Sequence, residues 1–131
     1  MNPEATRRLG RAQRFLDQAD RYSPALAPEA VIHLSYYAML HAAAAVLIDR
    51  AGRAPKTHGA IVGQFANLTR NEGEQARPLS RSFNRAQDLR VASDYGDDNP
   101  TESEAFEAHE AARAFLHYCR TLVGLPGNES G

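Results

Sequence analysis

Three short stretches carry residue types able to handle a phosphate or move a proton. Tyr36, Tyr37 and His41 lie within six residues of one another, Lys56, Thr57 and His58 are consecutive, and Arg90, Asp94 and Tyr95 fall close together further on. An arginine presents a rigid fork of N–H donors that matches phosphate oxygens, and a lysine adds a point charge. The imidazoles of His41 and His58 are the side chains whose ordinary pKa lies nearest neutrality, which suits proton transfer. Tyr36, Tyr37 and Tyr95 can stack on a base or donate a hydrogen bond. Each stretch also has a purely structural explanation: buried amphipathic rings, a helix cap at Thr57, and an i, i+4 ion pair between Arg90 and Asp94. Signatures of other chemistries are absent, since the chain has no GxxxxGK[ST], no GxGxxG, no HExxH and no CxxC. His33 and His41 are about 12 Å apart along a helix axis, too far to share a metal, and Arg113 stands between His109 and His117. No metal and no cofactor are expected.

The elements that must position these residues are helical. Residues 30–48, AVIHLSYYAMLHAAAAVLI, form the longest apolar run and contain no Gly, Pro or formal charge. Apolar character nearly all round predicts a helix covered on most sides by its neighbours. Its i, i+4 ladder puts His33, Tyr37 and His41 on one stripe, with Tyr36 on the next face. The spacing predicts five helices: 3–22, begun by Asn2-Pro3-Glu4 and broken at Ser23-Pro24; 28–50, ended by Gly52; a short one over 58–69, capped by Thr57; 78–95, opened by Pro78; and 102–123, opened by Thr101 and Glu104 as a capping box. Gly96 to Pro100 breaks the chain before the last helix, and Gly124 and Pro126 end it. The fold class is all-α, an antiparallel up-and-down helical bundle of four long helices and one short one. Residues 1–124 read as a single domain and 125–131 as a flexible tail.

The 131 residues include 43% hydrophobic and 24% charged side chains, ordinary for a folded domain with one core. Cys119 has no partner for an internal disulfide, and no secretory leader is evident, so a reducing, cytoplasmic setting without membrane insertion is expected. The net charge of −1 conceals an asymmetry: Arg50 to Arg90 holds eight basic and three acidic residues, and Asp94 to Glu110 holds seven acidic and no basic ones. Such a distribution suits one face that meets an anion, or plain solvated helix faces.

The order SYYAMLHAA, PKTHG, RxxxDYGD and then a capped acidic helix with AARAFL resembles the HEPN domain family. It is most similar to the small stand-alone branch associated with minimal nucleotidyltransferases. The matches are Tyr36, Tyr37, Ala38, His41 and Ala42, then Lys56, Thr57 and His58, then Arg90, Asp94 and Tyr95, with Ser93 where Ala is usual; they span roughly residues 5–123. The resemblance implies a homodimer and, in many members, a metal-independent ribonuclease or toxin using R-x(4–6)-H. In that motif the Arg holds the phosphate and the His moves protons. Here Tyr95, not a His, fills the first permitted slot after Arg90. Three readings follow. The chain is a partner of a minimal nucleotidyltransferase in a toxin–antitoxin-like module, binding nucleotide or RNA phosphate through Arg90 and Lys56, with Tyr36, Tyr37, His41 and Asp94 around them and Tyr95 a candidate for modification. Or it is an endoribonuclease in which Arg90 and Tyr95 are joined by a displaced histidine, His58 or His41. Or it is an association bundle without ligand.

Overall fold

The computed structural model describes residues 2–96 and 99–125, and five helices account for most of them. They are α1 (Pro3–Ala19), α2 (Pro28–Ala51), α3 (His58–Thr69), α4 (Ala76–Tyr95) and α5 (Glu102–Leu122), with no strand among the described residues. The four long helices run up and down in turn, as expected, while the short α3 lies alongside α2 in the same direction, starting beside Tyr36 and ending near Arg50. The tail beyond Leu125, and Asp97 and Asp98 of the breaker, lie outside the described residues.

Local chemistry sets most of the ends. Asn2 accepts from the backbone N–H groups of Glu4 and Ala5 and so caps α1. Thr57 accepts from Ala60 N to start α3, and Thr101 with Glu104 forms the reciprocal capping box of α5. Gly52 ends α2 at φ 87°, the left-handed region a side chain would resist. Gly96 ends α4 for a different reason: a Cβ there would come within 2.5 Å of the Ala92 carbonyl oxygen.

Two boundaries differ from expectation. α1 stops at Ala19, three residues early, because Arg21 and Tyr22 tighten to i→i−3 bonds ahead of Ser23-Pro24; Asp20, still helical in its backbone, meets His109 of α5 at 2.5 Å and Arg113 at 3.0 Å. α4 starts at Ala76, two residues before Pro78, because a helix leaves its first N–H groups unpaired and tolerates a proline throughout that turn. Leu125, placed in the tail by its sequence position, packs against the core.

α2 is the central element and touches every other helix. Ala42, Ala43, Ala44 and Ala45 are all fully buried, and their small side chains let neighbouring helices pack closely around it. α2 is long and apolar enough to cross a membrane, but its surface is mostly covered by the other helices. Beside it, Phe65 of α3, Phe83 of α4 and Phe115 of α5 form an aromatic knot with ring centroids 5.0–6.1 Å apart. At the far end of α2, Arg50 donates to Glu72 and to the Leu122 carbonyl, tying the α3–α4 loop to the end of α5.

Truncating the knot opens a cavity in the core, whereas truncating an exposed ring does not. Phe83→Ala is expected to cost about 3–5 kcal/mol. Phe106→Ala, at a residue 57% exposed, should stay within about 0.5 kcal/mol. Urea denaturation with unchanged slopes checks both.

Candidate functional site

The site is built on the ring of Tyr36. α2 buries this residue completely, with Phe83 of the aromatic knot 6.1 Å away and Tyr37 in an edge contact at 5.6 Å. Arg90, near the end of α4, lays its guanidinium carbon 5.0 Å from the Tyr36 ring centre. That is cation–π distance, and the contact is shielded because only 18% of the Arg90 side chain is exposed. The ring of His58, the first residue of α3, lies 5.8 Å from Tyr36 and 6.0 Å from Tyr37. Three helices thus deliver an arginine and an imidazole to one pair of tyrosines.

Asp94 fixes the arginine. Arg90 donates to its Oδ2 at 3.3 Å, the i, i+4 pair anticipated from the sequence, and His33 Nε2 lies 3.1 Å from its Oδ1. Burial raises the pKa of the Tyr36 hydroxyl even though the Arg90 charge opposes this, so Tyr36 remains a neutral phenol and serves as a platform. The Tyr36 hydroxyl and Arg90 Nε are both buried without an ordinary hydrogen bond, and so is Ser93 Oγ, at the position where a motif alanine would bring no polar atom.

The two histidines are held neutral. Burial, and then the Arg90 charge, lower the pKa of His58. Burial lowers that of His41 to about 4, helped in turn by Arg8, Arg11, His58 and Arg14. Arg8 lies 2.9 Å from His41 Nδ1. A guanidinium can only donate, so Nδ1 must accept and the proton sits on Nε2. Phe15 of α1 stacks on the other side of this imidazole, 5.3 Å away and nearly parallel.

The structure therefore brings together Tyr36, Tyr37, His41, His58, Arg90 and Asp94. It leaves Lys56 exposed in the loop before α3 and Tyr95 83% exposed at the end of α4. His33, Tyr37 and His41 do not act as one stripe. Eight residues turn through about 80° beyond whole turns, so His33 reaches α4 while Tyr37 and His41 face Phe15. Sequence reasoning missed His33, Phe15 and the α1 arginines. Their one signal was position, since Arg8, Arg11 and Phe15 flank the apolar stripe of Leu9, Ala12 and Leu16. No group of three His, Cys, Asp or Glu side chains suited to a metal converges among the described residues.

A helical bundle whose half-buried polar centre gathers guanidinium and imidazole on aromatic rings is equipped for an anion. The chain belongs to the HEPN domain family, which it matches over residues 5–122. A Methanocaldococcus jannaschii protein named as a putative toxin is 35% identical over 82 residues, covering 63% of this chain and 60% of that protein.

The neutral histidines make stability depend on pH. A folded pKa depressed below the unfolded 6.5 means that the unfolded chain binds the extra proton first. The contribution of His41 is complete above pH 6.5 and is lost as the pH falls from there toward 4. The loss should amount to roughly 1–2 kcal/mol after allowance for solvent screening at a half-buried group. His41→Gln should flatten the melting temperature against pH across this window. Ser93→Ala should be neutral or stabilising by about 1 kcal/mol, because it removes an unpaired buried hydroxyl.

Proposed function

We propose that this chain is a toxin-like, metal-independent ribonuclease of the HEPN type in which His58 replaces the histidine missing after Arg90. The observation that carries this is the shared Tyr36 platform: Arg90 and His58 are 32 positions apart in sequence, yet both pack on one ring, and the Arg90 charge acts on His58. His58, neutral near pH 7, takes the proton from a ribose 2′-hydroxyl as that oxygen attacks the adjacent phosphorus. The bond to the 5′-oxygen breaks, and the leaving oxygen gains a proton from solvent. Arg90 steadies the negative charge on the phosphate oxygens, and Asp94 with Tyr36 keeps it in place. The relative named as a toxin supports the biological direction of this reading.

A second reading rests on Tyr95. It is 83% exposed and five residues from Arg90, open to modification by another protein. In that reading the chain is the partner of a minimal nucleotidyltransferase, binds nucleotide or RNA phosphate without cutting it, and belongs to a toxin–antitoxin-like module. Both readings suit a homodimer. The exposed large apolar residues Tyr22, Leu26, Val91, Tyr95 and Phe106 all lie at the end of the bundle where α1 and α4 finish and α2 and α5 begin. A second copy covering this end would bring two Arg90 side chains toward one cleft.

Purified protein is expected to cleave single-stranded RNA without added metal. Arg90→Ala and His58→Ala, with helical circular dichroism retained, should each lose about 100-fold or more. The rate should rise on the acid side with a midpoint below the 6.5 of ordinary imidazole. Full activity in His58→Ala would overturn the ribonuclease assignment, and binding lost in Arg90→Ala with the RNA left intact would select the second reading. For the dimer, Val91→Asp combined with Tyr95→Asp should shift sedimentation from two copies to one.

A further inference from the structure

The cations of α1 have no role in the chemistry above, although they crowd its edge. Arg8, Arg11 and Arg14 recur at three-residue steps and share one broad face of α1 with Phe15 and Gln18. Arg8 is partly buried and donates to His41. Its nearest carboxylate, Glu4, is 3.9 Å away and already paired with Arg7. Arg11 and Arg14 make no ion pair among the described residues, and with Phe15 and Gln18 they line a surface cavity of about 160 Å³.

This is positive charge gathered without the carboxylates that usually relieve it. The crowding is mutual. Burial and then the charges of Arg11 and Arg7 lower the pKa of Arg8, while Arg8, Arg11 and Arg14 all act on His41. The set is also continuous with the site on Tyr36. Phe15 lies 5.3 Å from the His41 ring and 5.7 Å from Tyr37, Tyr37 lies 6.0 Å from His58, and His58 and Arg90 share the ring of Tyr36. A line of nitrogen donors therefore runs from α4 across the tyrosine pair to α1.

We propose that Arg8, Arg11 and Arg14, with Phe15 and His41 beneath them, form a second phosphate subsite that holds a neighbouring phosphodiester of single-stranded RNA bound at Arg90. The inference rests on the reading of Arg90 as a phosphate clamp on RNA. Arg11 and Arg14 line the cavity and Arg8 stands beside them on His41, a set that suits a phosphate, whose oxygens accept several N–H bonds at once. The Gln18 amide adds a donor at the far side of the cavity, and the edges of Phe15 and Tyr37 give a neighbouring base an aromatic surface. A small cavity open to solvent admits the phosphate and leaves the rest of the strand outside. The subsite sets the direction in which the RNA crosses the bundle, from α4 toward α1, and its charge supplies binding without taking part in proton transfer.

The test uses the full chain and a 2′-O-methyl octanucleotide, which binds as a strand but lacks the attacking hydroxyl. Fluorescence anisotropy across a salt series gives affinity and its salt slope, and nuclear magnetic resonance follows the His41 ring against pH. With the octanucleotide bound, the titration midpoint of His41 should rise by at least about one unit from its free value of about 4. Arg11→Gln with Arg14→Gln, both at exposed positions, should weaken binding roughly tenfold and reduce the salt slope by about 1–2. Arg90→Ala should abolish cleavage of unmodified RNA yet leave the His41 response. An unmoved His41 midpoint, or unchanged affinity and slope in the double variant, overturns the subsite while the Arg90 reading stands. If inorganic phosphate shifts His41 and the octanucleotide does not, the site takes a free anion and the RNA assignment is overturned. If wild type binds no octanucleotide, this inference and the RNA reading fall together. If Arg90→Ala cleaves normally, the reading of Arg90 falls even where His41 responds.

Discussion

The polar centre of this protein depends on a ring that cannot move. Tyr36 is fully buried and braced by Phe83, which is itself locked to Phe65 and Phe115. A close-packed interior holds each ring in one place, because any shift forfeits many small contacts at once. Everything polar in the site is referred to that ring: Arg90 across its face, His58 beside it and Tyr37 at its edge. Tyr36 makes its contacts to Arg90, His58 and Tyr37 through the shape and π-cloud of the ring.

Electrostatics then decides what the centre can receive. Asp94 is the one carboxylate bonded to Arg90 among the described residues, and it orients the guanidinium and leaves it charged. Two acids near the start of α5 are engaged elsewhere. Glu104 completes the capping box, and Glu104 and Glu107 approach Arg85. Burial and neighbouring guanidinium groups keep both site histidines neutral, so the positive charge there comes from arginine. A region of this kind, partly shielded from water, favours an anion more than the same charges on an open surface would.

The fold explains how so small a chain builds such a centre. α2 is covered on most sides and carries Tyr36, Tyr37 and His41 into the interior. α1, α3 and α4 pack against it and each deliver one cationic or imidazole group. Membership of the HEPN family fits this construction, and the relative named as a toxin aligns with three fifths of its own length.

Much of this was written in the residues. Caps and breakers act within a few positions of themselves, so Asn2, Gly52, Thr57 and Thr101 set helix ends regardless of what packs nearby, and α3 runs over the span its sequence predicts. The unbroken apolar run of α2 announced a central helix because only a covered helix keeps such a surface from water. The three motifs named Tyr36, Tyr37, His41, His58, Arg90 and Asp94, which the structure brings together, and Lys56 and Tyr95, which it leaves exposed; the Arg90–Asp94 pair followed from helical spacing. What required the tertiary structure was everything that crosses between helices. The pairing of Asp20 with His109 and Arg113 depends on α1 lying against α5. The pairing of His33 with Asp94 depends on how α2 rotates against α4, and eight residues of drift carry His33 and His41 to different neighbours. The approach of His58 to the ring that holds Arg90, and the encounter of Arg8 with His41, join residues more than thirty positions apart. Local propensity carries no information about such contacts, because they are fixed by the packing of whole helices.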